Sequence, residues 1–194
     1  MTVAWQPGKP FETETERFRL RSLVPADVSE TYISWWNDPE IQAGLNFPAR
    51  GWDRERAIQH VIRFDNAKSF HLGIFCKDTG RMIGFFAAFP NQRTKVAKTN
   101  IVIGEKDYWG KRVVQEVRGH MLSFLFDEMG MEKVKGEIHG NNYASIFNYK
   151  SMGFSSEGVL RSEMPHFGGG KRIDLYIFGM LREQWQASRR RDKK

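Results

Sequence analysis

Apolar and polar residues follow regular spacings along most of the chain, and these spacings predict its elements. Residues 17–21 alternate basic and apolar side chains, which is typical of a strand with one wet face. The segment 142–152 predicts a helix that Asn142 caps and Gly153 ends. The most regular pattern predicts a long amphipathic helix after Lys111, with apolar residues at steps of three and four: Val113, Val117, Met121, Leu122, Leu125 and Phe126.

The remaining runs of apolar residues predict a sheet with helices around it. Pro25 and Asp53 each sit where a further helix should begin, and Asp78 and Gly80 are typical of a hairpin turn. The resulting order is strand, two helices, three strands, helix, strand, helix and two strands, which predicts an α/β (α+β) domain around one mixed sheet. The other predicted strands are 70–76, 82–89, 99–103, 133–139, 154–160 and 173–181.

Length and composition indicate one soluble domain. The 194 residues are 40% hydrophobic and 27% charged, which suits one globular core and leaves no room for a second. No apolar run approaches the roughly 18 residues that span a membrane, and the first residues resemble no signal peptide. We therefore expect a cytoplasmic protein without membrane contact. The single cysteine, Cys76, excludes an internal disulfide.

The net charge of +7 is concentrated at one end of the chain. Residues 182–194 hold six Lys or Arg and two acids, which is +4 of the +7. We expect an irregular arm at 1–16, a folded domain at 17–183 and a solvated basic tail at 184–194. Contact with RNA or the ribosome through this tail is one function that the sequence leaves open.

Two segments carry residues suited to binding and chemistry. A strand-to-helix turn contains Trp109, Gly110 and Lys111, and the helix N-terminus that follows offers unpaired N–H groups and partial positive charge to phosphates. A glycine there is equally explained as a simple chain reversal. In the helix 142–152, Ser145 and Tyr149 lie one turn apart on the same face, as they also would in a purely structural helix.

Together these two segments resemble the GNAT N-acetyltransferase family, especially its branch of RimJ/RimL-like enzymes. Tyr-Trp-Gly-Lys opens the long helix, and Asn-x-x-Ser-x-x-x-Tyr-x-x-x-Gly-Phe follows at 142–154. The segments WWNDPE at 35–40 and GVLR at 158–161 also match that branch. The resemblance runs from about residue 17 to 183 and implies a GNAT fold, with a mixed central sheet of about six or seven strands flanked by about four helices.

The resemblance implies an N-acetyltransferase that moves an acetyl group from acetyl-CoA to a primary amine by direct attack. The amine is a protein N-terminus or a small amine such as an amino sugar. Tyr149 is implied as the acid that protonates the departing thiolate. The implied cofactor-binding residues are Ile101, Val102 and Ile103 beside the pantetheine arm, Trp109, Gly110, Lys111, Arg112, Val113 and Val114 around the pyrophosphate, and Asn142 and Ser145.

The sequence departs from the family pattern at two places. Arg112 and Val114 occupy positions of the phosphate loop where the family has small residues, and side chains there could narrow the cradle. A GNAT-fold binding or regulatory protein that has lost its cofactor is therefore an alternative. The glutamate that many relatives carry early in the strand before the loop is also missing. Glu137 and His139 share one strand face and could supply the base, or could equally be solvated residues at a strand end, and His71 is a further candidate.

The acceptor side is expected between the first two helices and the loop before the last strand. Trp35, Trp36, Asn37 and His71 are the candidate substrate residues, although Trp35 is equally explained as a core residue. Phe47 and the loop 164–170 are expected on the same side. The five histidines have no close paired spacing, so no metal is predicted. The protein is expected to be a monomer or a homodimer.

Overall fold

A computed structural model describes residues 5–46, 51–167 and 169–191. One mixed sheet contains eight strands in the order β1-β2-β3-β4-β5-β6-β8-β7. The strands are β1 (Glu12–Glu14), β2 (Phe18–Ser22), β3 (Phe70–Cys76), β4 (Met82–Asn91), β5 (Val96–Ile103), β6 (Lys133–His139), β7 (Ser155–Met164) and β8 (Ile173–Leu181). The described helices are α1 (Glu30–Asn37), α2 (Pro39–Leu45), α3 (Arg54–Val61), α4 (Val113–Ser123), α5 (Tyr143–Ser151) and α6 (Arg182–Arg191).

The expected mixed α/β sheet is confirmed, with more strands than the six or seven expected. Asp53 caps α3 as predicted, since its carboxylate accepts a hydrogen bond from the Arg56 N–H at 2.8 Å. Asp38 does more than end α1, because its carboxylate also caps α2, which begins at Pro39. The predicted long helix continues beyond α4 as a π-helical segment, Phe124–Glu128.

The sheet divides where β5 and β6 meet. These strands run parallel and pair at three positions: Val96 with Lys133, Ala97 with Val134, and Lys98 with Lys135. Beyond them β5 stays paired with β4 as far as Ile103, while β6 stays paired with β8 as far as His139. The two strands therefore diverge and leave a wedge-shaped gap between them, which we call the wedge.

Each face of the sheet has its own core. Because side chains alternate along a strand, β4 and β5 send Phe85 and Val102 to one face and Phe86 and Ala97 to the other. The first face packs against α1 and α3, and the second against α4 and α5. The first core includes Tyr32, Trp36, Ala57 and Val61, and the second includes Val117, Met121, Tyr149, Phe154 and Phe178.

The described parts of both terminal segments contain regular structure that was not expected. Within the arm expected to be irregular, β1 pairs with β2 and the neighbouring Phe11 is buried. Residues expected in a solvated tail belong instead to α6, whose Trp185 stacks on Phe126 with ring centroids 6.3 Å apart. A lone tryptophan among polar and charged residues is a weak sequence signal, and that is why this docking was missed. No described helix is long and apolar enough to cross a bilayer.

Candidate active site

A cavity of about 430 Å³ passes through the sheet at the wedge. Its walls come from both faces, so two ligands can approach one point from opposite sides. The wall on the α1–α3 face includes Trp36, His60, Phe64, His71, Phe85, Lys98 and Glu137, and the wall on the other face includes Ile101, Arg118, Ile138, Asn142, Ser145 and Tyr149.

Tyr149 reaches into the wedge from α5. Its ring lies between Phe178, 5.5 Å away and nearly parallel, and the guanidinium of Arg118, 4.1 Å from the ring centroid. The Tyr149 hydroxyl donates a hydrogen bond to the carbonyl of Thr99 at 3.2 Å, just past the last pair of β5 and β6. A side chain on Gly136 would overlap this hydroxyl. The glycine therefore makes room for the tyrosine between the strands.

The edge of β5 that faces the wedge offers backbone hydrogen-bonding groups. The Thr99 carbonyl accepts the Tyr149 hydroxyl, and the Ile103 carbonyl accepts the Trp109 indole N–H at 2.8 Å. Alternate residues of a strand direct their N–H and C=O groups to the same edge. Ile101 therefore directs both groups into the wedge, where they can pair with an amide. The side chain of Val102 lies in the core of the first face.

The turn before α4 has the geometry of an anion cradle. Gly110 and Arg112 both adopt the left-handed conformation, with φ of 73° and 58°. This conformation costs a non-glycine residue roughly 1 kcal/mol, which explains why a small residue suits the position of Arg112. No side chain caps α4 within the described chain, so its first N–H groups are free for an anion. Lys111 and Arg112 are exposed beside them, while Val113 is buried and Val114 half-buried.

An ion pair outside the predicted set fixes this turn. Glu116 on α4 accepts hydrogen bonds from the Thr15 hydroxyl and the Arg17 guanidinium, both at 2.6 Å. Arg17 also donates to the Lys111 carbonyl at 3.0 Å. Burial alone would raise the pKa of Glu116, but these hydrogen bonds outweigh it and lower the pKa. The negative charge is thus matched and does not oppose an anion at the helix N-terminus.

Glu137 lies in the cavity wall between two lysines. Its carboxylate pairs with the ammonium groups of Lys98 and, at 3.0 Å, Lys135. Partial burial works to raise the pKa of Glu137, and the two ammonium groups lower it by more. The carboxylate is therefore ionised at neutral pH but is a weaker proton acceptor than an ordinary glutamate. His139 lines the same cavity, and burial lowers its pKa, as does the charge of Lys98.

The wall on the α1–α3 face is aromatic. Trp36 stacks between Trp52 and Phe85, with centroid distances of 4.3 and 5.2 Å. His60 and His71 lie 5.1 Å apart beside them. Burial lowers the pKa of His60 to about 4, with help from Arg63 and Arg56, and lowers that of His71 to about 3, with help from His60. Both imidazoles are therefore neutral at pH 7.

His71 also has free hydrogen-bonding capacity. It is 2% exposed, and neither ring nitrogen has a hydrogen-bond partner among the described residues. Because a buried polar group without a partner is costly, a ligand that offers one is favoured here.

Two predicted substrate residues lie outside the cavity. Trp35 packs flat against Gly104 and donates to the Glu105 carboxylate at 3.0 Å. The Asn37 side chain binds the backbone of Trp52 at 2.7 and 2.8 Å. Both border a separate open groove, so of the four candidates the structure brings Trp36 and His71 into the cavity. Phe47 lies outside the described residues, as does Gly168 in the loop 164–170.

Asn142 joins the two sides of the site. Its side-chain oxygen accepts the Ser145 N–H at 3.0 Å and so caps α5, as the sequence predicted. Its amide nitrogen donates to the Gly44 carbonyl at the end of α2, at 2.7 Å. Asn142 and Ser145 also line the cavity. Among the described residues, no cluster of three His, Cys, Asp or Glu is arranged for a metal ion.

The profile of the acetyltransferase (GNAT) domain family matches residues 17–155, which is most of the chain. The chain belongs to this family and is an acyl-CoA N-acetyltransferase. An uncharacterised N-acetyltransferase of Bacillus licheniformis, p20, is 24% identical over 177 residues, which cover 88% of this chain and 96% of that relative. YokL, an uncharacterised prophage-derived N-acetyltransferase of Bacillus subtilis, is 27% identical over 181 residues, with 89% and 94% covered.

Solved structures share the fold. The spermidine N-acetyltransferase of Vibrio cholerae, in complex with CoA and spermine, superimposes with a TM-score of 0.77 at 16% identity, over 88% of this chain and 98% of that one. The ribosomal-protein-S5-alanine acetyltransferase of Vibrio fischeri gives 0.75 at 15% identity, over 90% and 98%. The expected GNAT fold is therefore confirmed, while membership of the RimJ/RimL-like branch stays a prediction.

Three titratable residues of the described cavity wall were missed by sequence reasoning: His60, Lys98 and Arg118. His60 and Lys98 gave no signal, because isolated polar residues are common on helices and strands. Arg118 did give a signal, because it is a charged residue on the stripe of the long helix that the pattern assigns to the core. It stands at helical spacing from Met121, Leu122 and Leu125.

Proposed function

We propose that the protein transfers the acetyl group of acetyl-CoA to a primary amine on a ring-bearing small molecule or at a peptide N-terminus. The amine attacks the thioester directly and no covalent enzyme intermediate forms. The observation that carries this proposal is the cavity that crosses the sheet at the wedge, with backbone donors on one side and an aromatic pocket on the other.

The donor enters from the side of α4 and α5. The pyrophosphate of acetyl-CoA binds the uncapped N-terminus of α4, where Lys111 and Arg112 add positive charge. Its pantetheine arm pairs with the backbone of Ile101, beside Asn142 and Ser145. These contacts bring the thioester to the hydroxyl of Tyr149, which gives its proton to the departing sulfur.

The acceptor enters from the aromatic side. Trp36, Phe85 and the neutral imidazole of His71 form an aromatic wall for the acceptor. One imidazole nitrogen of His71 can accept a hydrogen bond from an amine or hydroxyl, and the other can donate one. The carboxylate of Glu137 is matched by Lys98 and Lys135, so this wall carries no spare negative charge in the part described. A polyamine needs such charge, and we therefore expect polyamines to be poor acceptors.

Calorimetry with acetyl-CoA tests the donor half. We expect saturable binding in the micromolar range, weakened about tenfold by Arg112→Glu because the reversed charge faces the pyrophosphate. Lys68→Glu makes the same charge change on an exposed turn and should leave affinity unaltered. If millimolar acetyl-CoA gives neither heat nor a thermal shift, the enzyme proposal fails and a cofactor-free binding protein replaces it.

Release of free CoA thiol, measured with a panel of amines, tests the acceptor half. Amino sugars, arylalkylamines and short peptides with free N-termini should include the substrate, and spermidine should react slowly. Trp36→Leu should raise KM for the preferred amine while leaving acetyl-CoA affinity unchanged. Efficient spermidine acetylation would contradict the assignment of the aromatic wall.

A further inference from the structure

Arg118 is a buried cation on the stripe of α4 that faces the sheet. The residue is 2% exposed, and its Nε and Nη1 atoms have no hydrogen-bond partner among the described residues. Its guanidinium lies over the Tyr149 ring at 4.1 Å and borders the cavity at the wedge. The position therefore combines full burial with access to whatever the cavity holds.

Such a group destabilises the free protein. Removing a guanidinium from water without a counterion costs more free energy than contact with an aromatic face gives back. Burial lowers the pKa of Arg118, yet an arginine stays charged at neutral pH. An anion supplied by a ligand in the cavity would offset this cost.

Among the described residues of the cavity wall, Arg118 is the cation without a matching anion. The other titratable groups on the described wall are Lys98, Glu137, His60, His71, His139 and Tyr149. Lys98 is paired with Glu137, which lies on the opposite face of the sheet from Arg118. His60 and His71 are neutral because their pKa values are about 4 and 3. The anion that Arg118 requires must therefore arrive with a substrate or form during the reaction.

Acetyl transfer forms such an anion, the thiolate of CoA. As the amine nitrogen bonds to the thioester carbon, the C–S bond breaks and its electron pair stays on sulfur, while the amine gives up a proton to a base or water. This thiolate forms next to Tyr149, on the side of the sheet where Arg118 lies. We infer that Arg118 is a further catalytic residue, which holds the thiolate of CoA until the Tyr149 hydroxyl protonates it. The inference rests on the proposed function.

The ionisation of enzyme-bound CoA tests this role without turnover. The ultraviolet absorbance of the thiolate is followed against pH in complexes of CoA with each variant. We expect the thiol pKa of bound CoA to lie at least about one unit below that of a free thiol, near 8.5. Arg118→Met, of similar length and apolar, should abolish this shift, Arg118→Lys should keep part of it, and the exposed Arg93→Met should keep all of it.

Kinetics give a second readout. Arg118→Met should lower kcat with acetyl-CoA by about 10²-fold or more, with KM little changed, because the lost contact exists only in the transition state and product complex. Its melting temperature should not fall, because an apolar residue of this size can replace an unpaired buried cation without loss. If the methionine variant does not fold, the lysine variant, with its intermediate thiol pKa and kcat, still decides the question.

The outcomes separate the two proposals. If wild-type protein does not bind CoA, the proposed function fails. If it binds CoA with an unshifted thiol pKa, or if Arg118→Met retains the shift, the role of Arg118 is wrong and acetyl transfer stands. If Arg118→Met lost activity only with acyl-CoA donors that carry a terminal carboxylate, such as succinyl-CoA, the proposed role of Arg118 would also be wrong. The guanidinium would then bind the acyl group and not the thiolate.

Discussion

Tyr149 combines a tightly packed ring with a hydroxyl at an open strand edge. The ring is held by Phe178 and Arg118, and the hydroxyl is directed by the Thr99 carbonyl. Rigid placement of a proton donor is what general acid catalysis requires, because the proton must reach the sulfur as the C–S bond breaks. The same packing would hold a phenylalanine ring in place.

Tyr149→Phe should therefore lower kcat by about 10²-fold and leave acetyl-CoA affinity and folding little changed. Stopped-flow release of CoA, calorimetry and thermal melting measure the three quantities. Tyr176→Phe, on β8, is a matched control and should keep most activity. Turnover at the wild-type rate across the pH range would make Tyr149 a packing residue, and the thiolate would then take its proton from water.

At this scale the sequence predicted part of the site. The spacing of Asn142, Ser145 and Tyr149 follows from helical periodicity, and all three line the cavity. Arg118 was not among the predicted site residues, although it stands as a basic residue on the apolar stripe of the long helix. The contact of Lys98 with Glu137 could not be foreseen, because it depends on the register of β5 against β6.

At the scale of elements, strands and long helices were predictable because their periodicity is local. β3, β6 and β8 have the predicted bounds, while α2 and the docked α6 were missed. In α6 the half-buried Trp185 packs against Phe126. Contact of this basic helix with RNA stays a prediction.

Trp185→Ala should destabilise the protein by about 2 kcal/mol, because a half-buried tryptophan loses about half the area of a core aromatic. Chemical denaturation measures this change, and kcat should be unaffected because α6 contributes no residue to the described cavity wall. Arg189 also belongs to α6, and it forms an exposed ion pair with Asp127 of the segment Phe124–Glu128. Arg189→Ala removes this pair and should cost less than about 1 kcal/mol. Equal effects of the two substitutions would show that charge and not packing attaches α6.

At the scale of the whole molecule, helices on opposite faces of the sheet meet beside the wedge. Asn142 makes this connection, since it caps α5 and also binds the Gly44 carbonyl at the end of α2. Sequence reasoning predicted the cap from the local pattern. It could not predict the second bond, because that bond joins residues 98 positions apart.

Asn142→Ala should cost about 1 kcal/mol through the lost cap and should also weaken binding of both acetyl-CoA and the amine. The dual effect follows because α5 carries donor-side residues and α2 borders the acceptor side. Asn142→Asp keeps the oxygen that caps α5 but loses the N–H that donates to the Gly44 carbonyl. This variant should therefore retain most of the stability, and its binding of both substrates should be weakened as in Asn142→Ala. Weaker binding of only one substrate would show that the two faces are not linked through this residue.

Because β5 and β6 pair at three positions and then diverge, the wedge between them also affects the order in which substrates bind and products leave. A passage that opens on both faces of the sheet gives each reactant its own entrance, so neither has to leave before the other arrives. Steady-state rates should therefore show sequential kinetics, with intersecting double-reciprocal lines and no parallel ones. Either product can then depart first, and a large acceptor such as a polypeptide end need not pass the nucleotide to reach the thioester.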